Sequence, residues 1–401
     1  MKKIIFIVLG VVLTVLLTYG IISQKESSQI DKLRTKIPGQ EDDHQKETPK
    51  PKIVLPQPDS DINSLVQLLA AVDIESDEYK NQQNSEIVKK HYQEFNQNWT
   101  NLENKRLEPI RVWRDNELQA LNTATHNLFY PFSGPDFLNA NEIFPNCDNY
   151  LLFGLEKIGE LPSWESLKGA GMQNYLYGVR TALSEIFQRN YFITMRMNSA
   201  LNSQVKGVLP ILSVFLARTG NDIVKIEKIV IRKNGEAVYS KWDGRKDDGF
   251  INGICIEFVH EKAEKSQKLY YFSTDLGDHA MASKGELVTF IKSFASKISL
   301  VKSASYLLHT ANFNTVKNLI LDETEACVQD DTGVPYKYFK QKNWDVRLYG
   351  KYARPIRDFN HGYQPDLAKV FEEDKSIKPI NFTFGYHWWT DKSSILYCTK
   401  K

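Results

Sequence analysis

Residues 128–155 read LFYPFSGPDFLNANEIFPNCDNYLLFGL. The run Leu128-Phe129-Tyr130-Pro131-Phe132 is short and apolar, and it ends in the turn formers Ser133-Gly134-Pro135-Asp136. A helical pattern follows over 137–144, and Tyr150-Leu151-Leu152-Phe153-Gly154-Leu155 reads as a buried strand. Strand, turn, helix, strand is the repeating logic of an α/β sheet, and it sets the expected class: a mixed sheet with flanking helices.

Working outward, Leu65, Leu68, Leu69 and Val72 recur at helical spacing behind Asp61, a candidate cap. A second helical stretch carries Ile87, Tyr92, Phe95, Trp99 and Leu102. A third restarts at Pro109, a residue suited to a first helical turn. Downstream, helices are expected over 169–189 and 205–218, then strands over 224–232, 236–241, 251–259 and 268–273. Lys233-Asn234-Gly235 between the first two strands is a hairpin signal. Helices over 284–295 and 313–321 precede strands near 326–329, 346–349, 382–386 and 395–398. Nothing divides residues 61–401, which read as one large domain without internal repeats.

The N-terminal part has a different character. Lys2 and Lys3 precede an uncharged apolar run over 4–22, long enough as a helix to span roughly 28 Å of bilayer. Residues 1–23 therefore read as a signal-anchor helix. A cleaved signal peptide is the alternative, but Tyr19, Ile21 and Ile22 suit a small-x-small cleavage site poorly. Residues 24–60 carry Pro38, Pro49, Pro51, Pro56 and Pro58 among charged residues and read as a flexible spacer. The two lysines favour a cytoplasmic N-terminus, which places the domain outside the cytoplasm, in the cell envelope.

The chain has 51 basic and 49 acidic residues among 401, a formal charge of +2, with 42% hydrophobic and 12% aromatic residues. So balanced a charge offers no footprint for nucleic acid. Cys147, Cys255, Cys327 and Cys398 form no CxxC pair, which disfavours a structural metal site. Two disulfides are possible in an oxidising compartment, but buried free thiols are preferred in a domain this large.

Four constellations could carry function. Ser133-Gly134-Pro135-Asp136 with Glu156 has the outline of a nucleotide-binding turn followed by an acidic residue about 20 positions on. It has one glycine where three are wanted, and Pro135 removes a phosphate-binding N–H, so Asp136 as a helix cap is preferred. Asp330-Asp331-Thr332-Gly333 pairs two carboxylates that could hold a cation or share acid–base work; a polar turn is the preferred reading. Asp275, Asp278 and His279 follow an apolar strand, where α/β proteins place sites, though an exposed loop explains them as well. The aromatic C-terminal region, with Trp344, Tyr349, Tyr352, Phe359, Tyr363, Tyr386, His387, Trp388 and Trp389, could stack on sugar rings or fill a core.

The segments YPFSGPD (130–136), LLFGLE (151–156), SYLLH (305–309), QDDTGVPY (329–336) and FGYHW (384–388) together resemble a family of uncharacterised exported or membrane-anchored bacterial proteins. The resemblance implies one recurring domain over most of the chain and no known activity.

Two functions follow from these patterns. The preferred one is a binding or structural envelope protein, because no GxSxG, HExxH, Walker or papain-like motif names a reaction. The other is an anchored envelope hydrolase acting on a saccharide or polymer. Its catalytic groups would be Asp330 and Asp331 with His279 or His387, and Asp136, Glu156 and Asp278 would bind the ligand. No cofactor is indicated. The only partner the residues specify is the membrane, through residues 4–22.

Overall fold

The computed structural model describes residues 55–192, 205–244, 251–260, 262–352, 354–389 and 391–401. The apolar run at 4–22 and most of the spacer lie outside these. Ile53–Lys401 forms one compact unit. Among the described residues, no helix is long and apolar enough to cross a membrane.

Ten strands make one mixed sheet: β1 Asn127–Tyr130, β2 Asn149–Gly154, β3 Asn221–Ile231, β4 Ala237–Lys241, β5 Ile251–His260, β6 Gln267–Ser273, β7 Lys297–Val301, β8 Thr324–Gln329, β9 Trp344–Gly350 and β10 Ser394–Lys400. Their spatial order is β4-β3-β5-β6-β2-β1-β7-β8-β10-β9. The central five, β6-β2-β1-β7-β8, are parallel, and antiparallel strands extend both edges. The principal helices are α1 Ser60–Leu69, α2 Glu86–Leu102, α3 Glu108–Glu117, α4 Phe137–Ile143, α5 Ala170–Arg189, α6 Leu209–Arg218, α7 Gly285–Ser293, α8 Asn314–Glu323, α9 Tyr336–Gln341 and α10 Pro365–Glu373.

Alternation along the strands sorts their side chains into two cores. Leu128, Tyr130, Tyr150, Leu152, Ile298 and Leu300 pack beneath α1–α6. Phe129, Leu151, Phe153, Val301 and Cys327 pack beneath α7–α10. Burial on both faces explains why the parallel strands read as continuous apolar runs rather than alternating ones. All four cysteines are buried free thiols, and Cys327 faces Cys398 across β8 and β10.

The structure departs from the sequence expectations in three places. The cap of α1 is Asp59, whose Oδ1 accepts from the Ile62 N–H at 2.9 Å, not Asp61. Pro109 does stand in the first turn of α3, and a π turn at Glu103–Leu107 joins that helix to α2 without a break. The strand expected at 382–386 is a turn: Gly385 has φ +75°, and the Phe384 N–H bonds the Ser393 hydroxyl at 2.9 Å instead of a strand neighbour. Finally, β7 was not anticipated, although it lies at the centre of the sheet.

From β1 the chain steps to β2 on one side, and β7 later takes the place on the other. The carboxyl ends of β1 and β7 thus flank the point where strand order reverses. In open α/β sheets that is where a crevice forms between diverging loops.

Candidate functional site: a cleft at the carboxyl edge of the parallel strands

A cavity of about 710 Å³ opens at this point. The loops after β1, β2, β6 and β7 build its floor, contributing Ser133, Gly134, Asp136, Glu156, Thr274, Asp275, Lys302, Ser303 and Ser305. Aromatic rings build much of the wall. Phe359 stacks on Tyr386 with centroids 5.0 Å apart, Tyr191 meets Tyr386 edge-on at 4.8 Å, and Phe132 meets Phe313 at 5.5 Å.

Two of these loops are held in backbone conformations that side chains disfavour. Phe132 has φ +58° after β1; Ser303, Ser305 and Tyr306 have φ +52°, +50° and +56° after β7. Left-handed non-glycine residues cost of order 1–3 kcal/mol each and persist where the surroundings over-determine them. The surroundings here are visible. Ser133 Oγ accepts from the Phe153 N–H at 3.0 Å and ties the first loop to the end of β2. The Ser303 N–H donates to Asp330 Oδ2 at 2.8 Å, and the Ala304 N–H to Thr332 Oγ1 at 2.8 Å. Tyr386 Oη donates to the Ser303 carbonyl at 2.9 Å and lies 2.8 Å from Ser305 Oγ. Ser303 Oγ itself is enclosed without a partner.

Beneath the cleft lies a set of buried charges. Lys302 Nζ donates to Asp136 Oδ2 at 2.9 Å and to the Asn190 carbonyl at 2.5 Å. Tyr130 Oη also donates to Asp136 Oδ2 at 2.9 Å, while Asp136 Oδ1 accepts from the Asn139 N–H at 3.2 Å and so caps α4. Burial brings the Arg106 guanidinium down to about 10, partly offset by the charge of Asp136. Beside this cluster, Asp330 and Asp331 are 1% and 5% exposed, so they are not the solvated turn expected from sequence. Burial raises the pKa of Asp330 above the ordinary carboxylate value, despite donors from Ser303 and Thr332 and the charge of Lys302. Burial and the neighbouring Asp330 charge push Asp331 up to about 7. Tyr306 Oη donates to Asp331 Oδ2, and Gln364 Nε2 donates to the Asp331 carbonyl at 2.9 Å.

The structure gathers some of the anticipated residues and scatters others. Asp136 and Glu156 line the cleft together, and Asp330 reaches it through Ser303. Asp278 does not line it. Its carboxylate caps α8, accepting from the Asn314 and Thr315 N–H groups at 3.0 and 2.8 Å. His279 is exposed on the single-turn helix Asp278–Met281. His387 Nε2 lies 2.8 Å from the Arg354 carbonyl, in a separate shallow recess with Trp389 and Lys392. The C-terminal aromatics divide: Trp344, Tyr349 and Tyr352 are buried in the core, Tyr363 and Trp389 are exposed, and Phe359 and Tyr386 alone of that group line the cleft. Among the described residues no three His, Cys, Asp or Glu side chains converge to hold a metal.

Lys302, Ser303, Ser305, Tyr306 and Tyr191 went unmarked in the sequence. The alternation in Lys297-Ile298-Ser299-Leu300-Val301 was the available signal for the four that follow β7. The nucleotide-like turn is closed to phosphate by its own carboxylate. Asp136 occupies the N-terminus of α4, and Lys302, the cation nearest it, is already paired.

No family model matches the chain, and neither a curated protein nor a solved structure matches it.

Proposed function

We propose that this chain is a membrane-tethered envelope protein whose domain, held outside the cytoplasm, binds a small organic ligand in the cleft at the carboxyl edge of β1, β2, β6 and β7. The cavity at the strand-order reversal carries this reading: it is aromatic-walled, polar-floored and framed by two loops held in left-handed conformations. The tether rests on the apolar run at 4–22 and the two lysines before it.

A small-molecule library screened by thermal shift against the full chain in detergent tests the cleft. Compounds that stabilise the protein and lose that effect in Phe359→Ala, which removes one face of the stacked pair, support the reading. Stabilisation that is indifferent to Phe359→Ala, or no stabilising compound at all, overturns it. A reporter active only in the cytoplasm, fused after Lys401, tests the topology; strong activity would reverse the orientation.

An anchored hydrolase of an envelope saccharide or polymer is the second reading. It is favoured by one observation: burial beside Asp330 brings Asp331 to about 7, a value suited to acid–base work. Against it, neither carboxylate lines the cleft, and the two histidines that would complete the set lie elsewhere.

A further inference from the structure

Five charged side chains line the cleft: Asp136, Glu156, Asp275, Asp358 and Lys302. Lys302 is spent on Asp136, to which it is bonded at 2.9 Å inside the protein. Asp275 has Lys284 beside it, whose Nζ donates to the Asp275 carbonyl at 3.1 Å and to Thr274 Oγ1 at 2.7 Å. Asp358 is exposed to solvent. Glu156 differs from all of these. It is 3% exposed, lines the cavity and, among the described residues, has no cationic side chain bonded to it.

Its hydrogen bonding is also thin. The one donor is Tyr271 Oη, 3.3 Å from Glu156 Oε2. That hydroxyl has a single proton, and the Glu156 carbonyl stands closer, at 3.0 Å. An enclosed carboxylate with neither counter-charge nor full hydrogen bonding is costly. Yet the niche is shaped around it. A Cβ at Gly154 would fall 2.4 Å from Glu156 Oε2 and 2.7 Å from Tyr271 Oη, so a side chain there would displace the carboxylate from its present seat. On the other side stands Gly134, at φ +54°, where a Cβ would lie 3.6 Å from the same oxygen. Two glycines, from the turn after β1 and the end of β2, thus seat a carboxylate at the cavity wall.

The Phe359–Tyr386 stack and the Tyr191 ring line the same cavity. Aromatic faces attract cations through the ring quadrupole, most strongly where the cation is desolvated against them. An anionic ligand would meet Glu156 and Asp358 without an available cation. A neutral sugar would bring no cation to Glu156.

We infer that the cleft takes an organic ammonium compound with an apolar or aromatic body, its cationic head between Glu156 and the Tyr386–Phe359 wall. This rests on the cleft being a ligand site. The test uses a matched series on the full-length chain in detergent, followed by calorimetry: benzylammonium, benzyl alcohol, phenylacetate and methyl glucoside. Benzylammonium should bind at least about tenfold more tightly than benzyl alcohol, a discrimination worth roughly 1.4 kcal/mol. Glu156→Gln should remove that preference while leaving benzyl alcohol unchanged. The wild-type series decides the matter by itself if the variant fails to fold. Tighter binding of benzyl alcohol, phenylacetate or the glucoside would overturn the cation and leave the cleft as a binding site. No binding by any of the four would sink both.

Discussion

Two loops end parallel strands of the same sheet with an acidic residue, and they manage its charge in opposite ways. After β1, Asp136 is buried but meets Lys302 at 2.9 Å, with Tyr130 and Asn139 as further donors. After β8, Asp330 and Asp331 are as deeply enclosed, and no cation is bonded to either among the described residues. Asp330 relies on donors from Ser303 and Thr332, and Asp331 on Tyr306. The first loop sets a lysine against its carboxylate. In the second, burial wins, and both acids hold their protons more tightly than usual. Position at a strand end brings a carboxylate into the interior; the partners on neighbouring strands decide whether it stays an ion.

The largest effect should come from removing the cation that makes the difference. Lys302→Met leaves Asp136 buried without its counter-charge and strips a donor from the Asn190 carbonyl. Loss of one partner of a buried pair costs about 3–5 kcal/mol, readable by denaturant titration of the purified protein. Adding Asp136→Asn to that variant should recover part of the loss. If Lys302→Met is as stable as wild type, the pair does not distinguish the two loops.

The centre of this arrangement was hidden in the sequence for a physical reason. Apolar strands β1 and β2 announce themselves because both faces are buried. β7 is five residues long, begins with Lys297 and carries Ser299 in the middle, so it does not read as a buried strand. Missing it hid Lys302 and the strained serines that follow. The converse error arose at 382–386, where Phe382, Phe384 and Tyr386 alternate because each is buried, not because they form a ladder. Alternation reports burial, and a strand needs a neighbour as well. The acidic residues were visible as letters, but their burial depends on contacts with β7 and the C-terminal turn, which spacing does not encode. Histidine was a poor guide for the same reason: His279 and His387 lie near strand ends or aromatics in sequence, yet neither lines the cleft.

Gly385→Ala probes the packing of the second loop. Gly385 has φ +75°, and a Cβ there would fall 2.3 Å from Asp330 Oδ2. Strain and overlap together should cost about 2–4 kcal/mol by denaturant titration. A near-neutral result would mean that the turn moves freely away from Asp330, weakening the case that it encloses the acid.

Asp330→Asn should cost less, about 1–3 kcal/mol. Oδ2 accepts from the Ser303 N–H, and Oδ1 accepts from the Thr332 N–H at 2.9 Å and from the Thr332 hydroxyl. An asparagine must turn its NH₂ toward one of these donors, leaving two hydrogens facing each other. If the asparagine variant proves as stable as wild type near neutral pH, Asp330 is already protonated and its hydroxyl has found another acceptor. The two loops would then differ even more sharply.

Asp331→Asn should have the smallest effect and the opposite sign. With Asp331 pushed up to about 7 from an ordinary 3.8, the folded protein binds this proton more tightly than the unfolded chain does. The unfolded state therefore holds fewer protons between those two values, and stability falls as pH rises across that window. The contribution is full below about 4, declines toward 7, and is constant above. Asparagine resembles the protonated acid: its carbonyl can still accept from Tyr306 Oη, and it carries no charge to repel Asp330. Other carboxylates titrate over the same range, so the informative quantity is the difference between variant and wild-type melting temperatures at each pH. That difference should be near zero or negative at pH 4 and rise to a gain of about 2–4 °C at pH 8. A difference that stays flat with pH would mean that Asp331 ionises normally in the folded state. The second loop would then hold its charge as the first does, and the contrast between them would disappear.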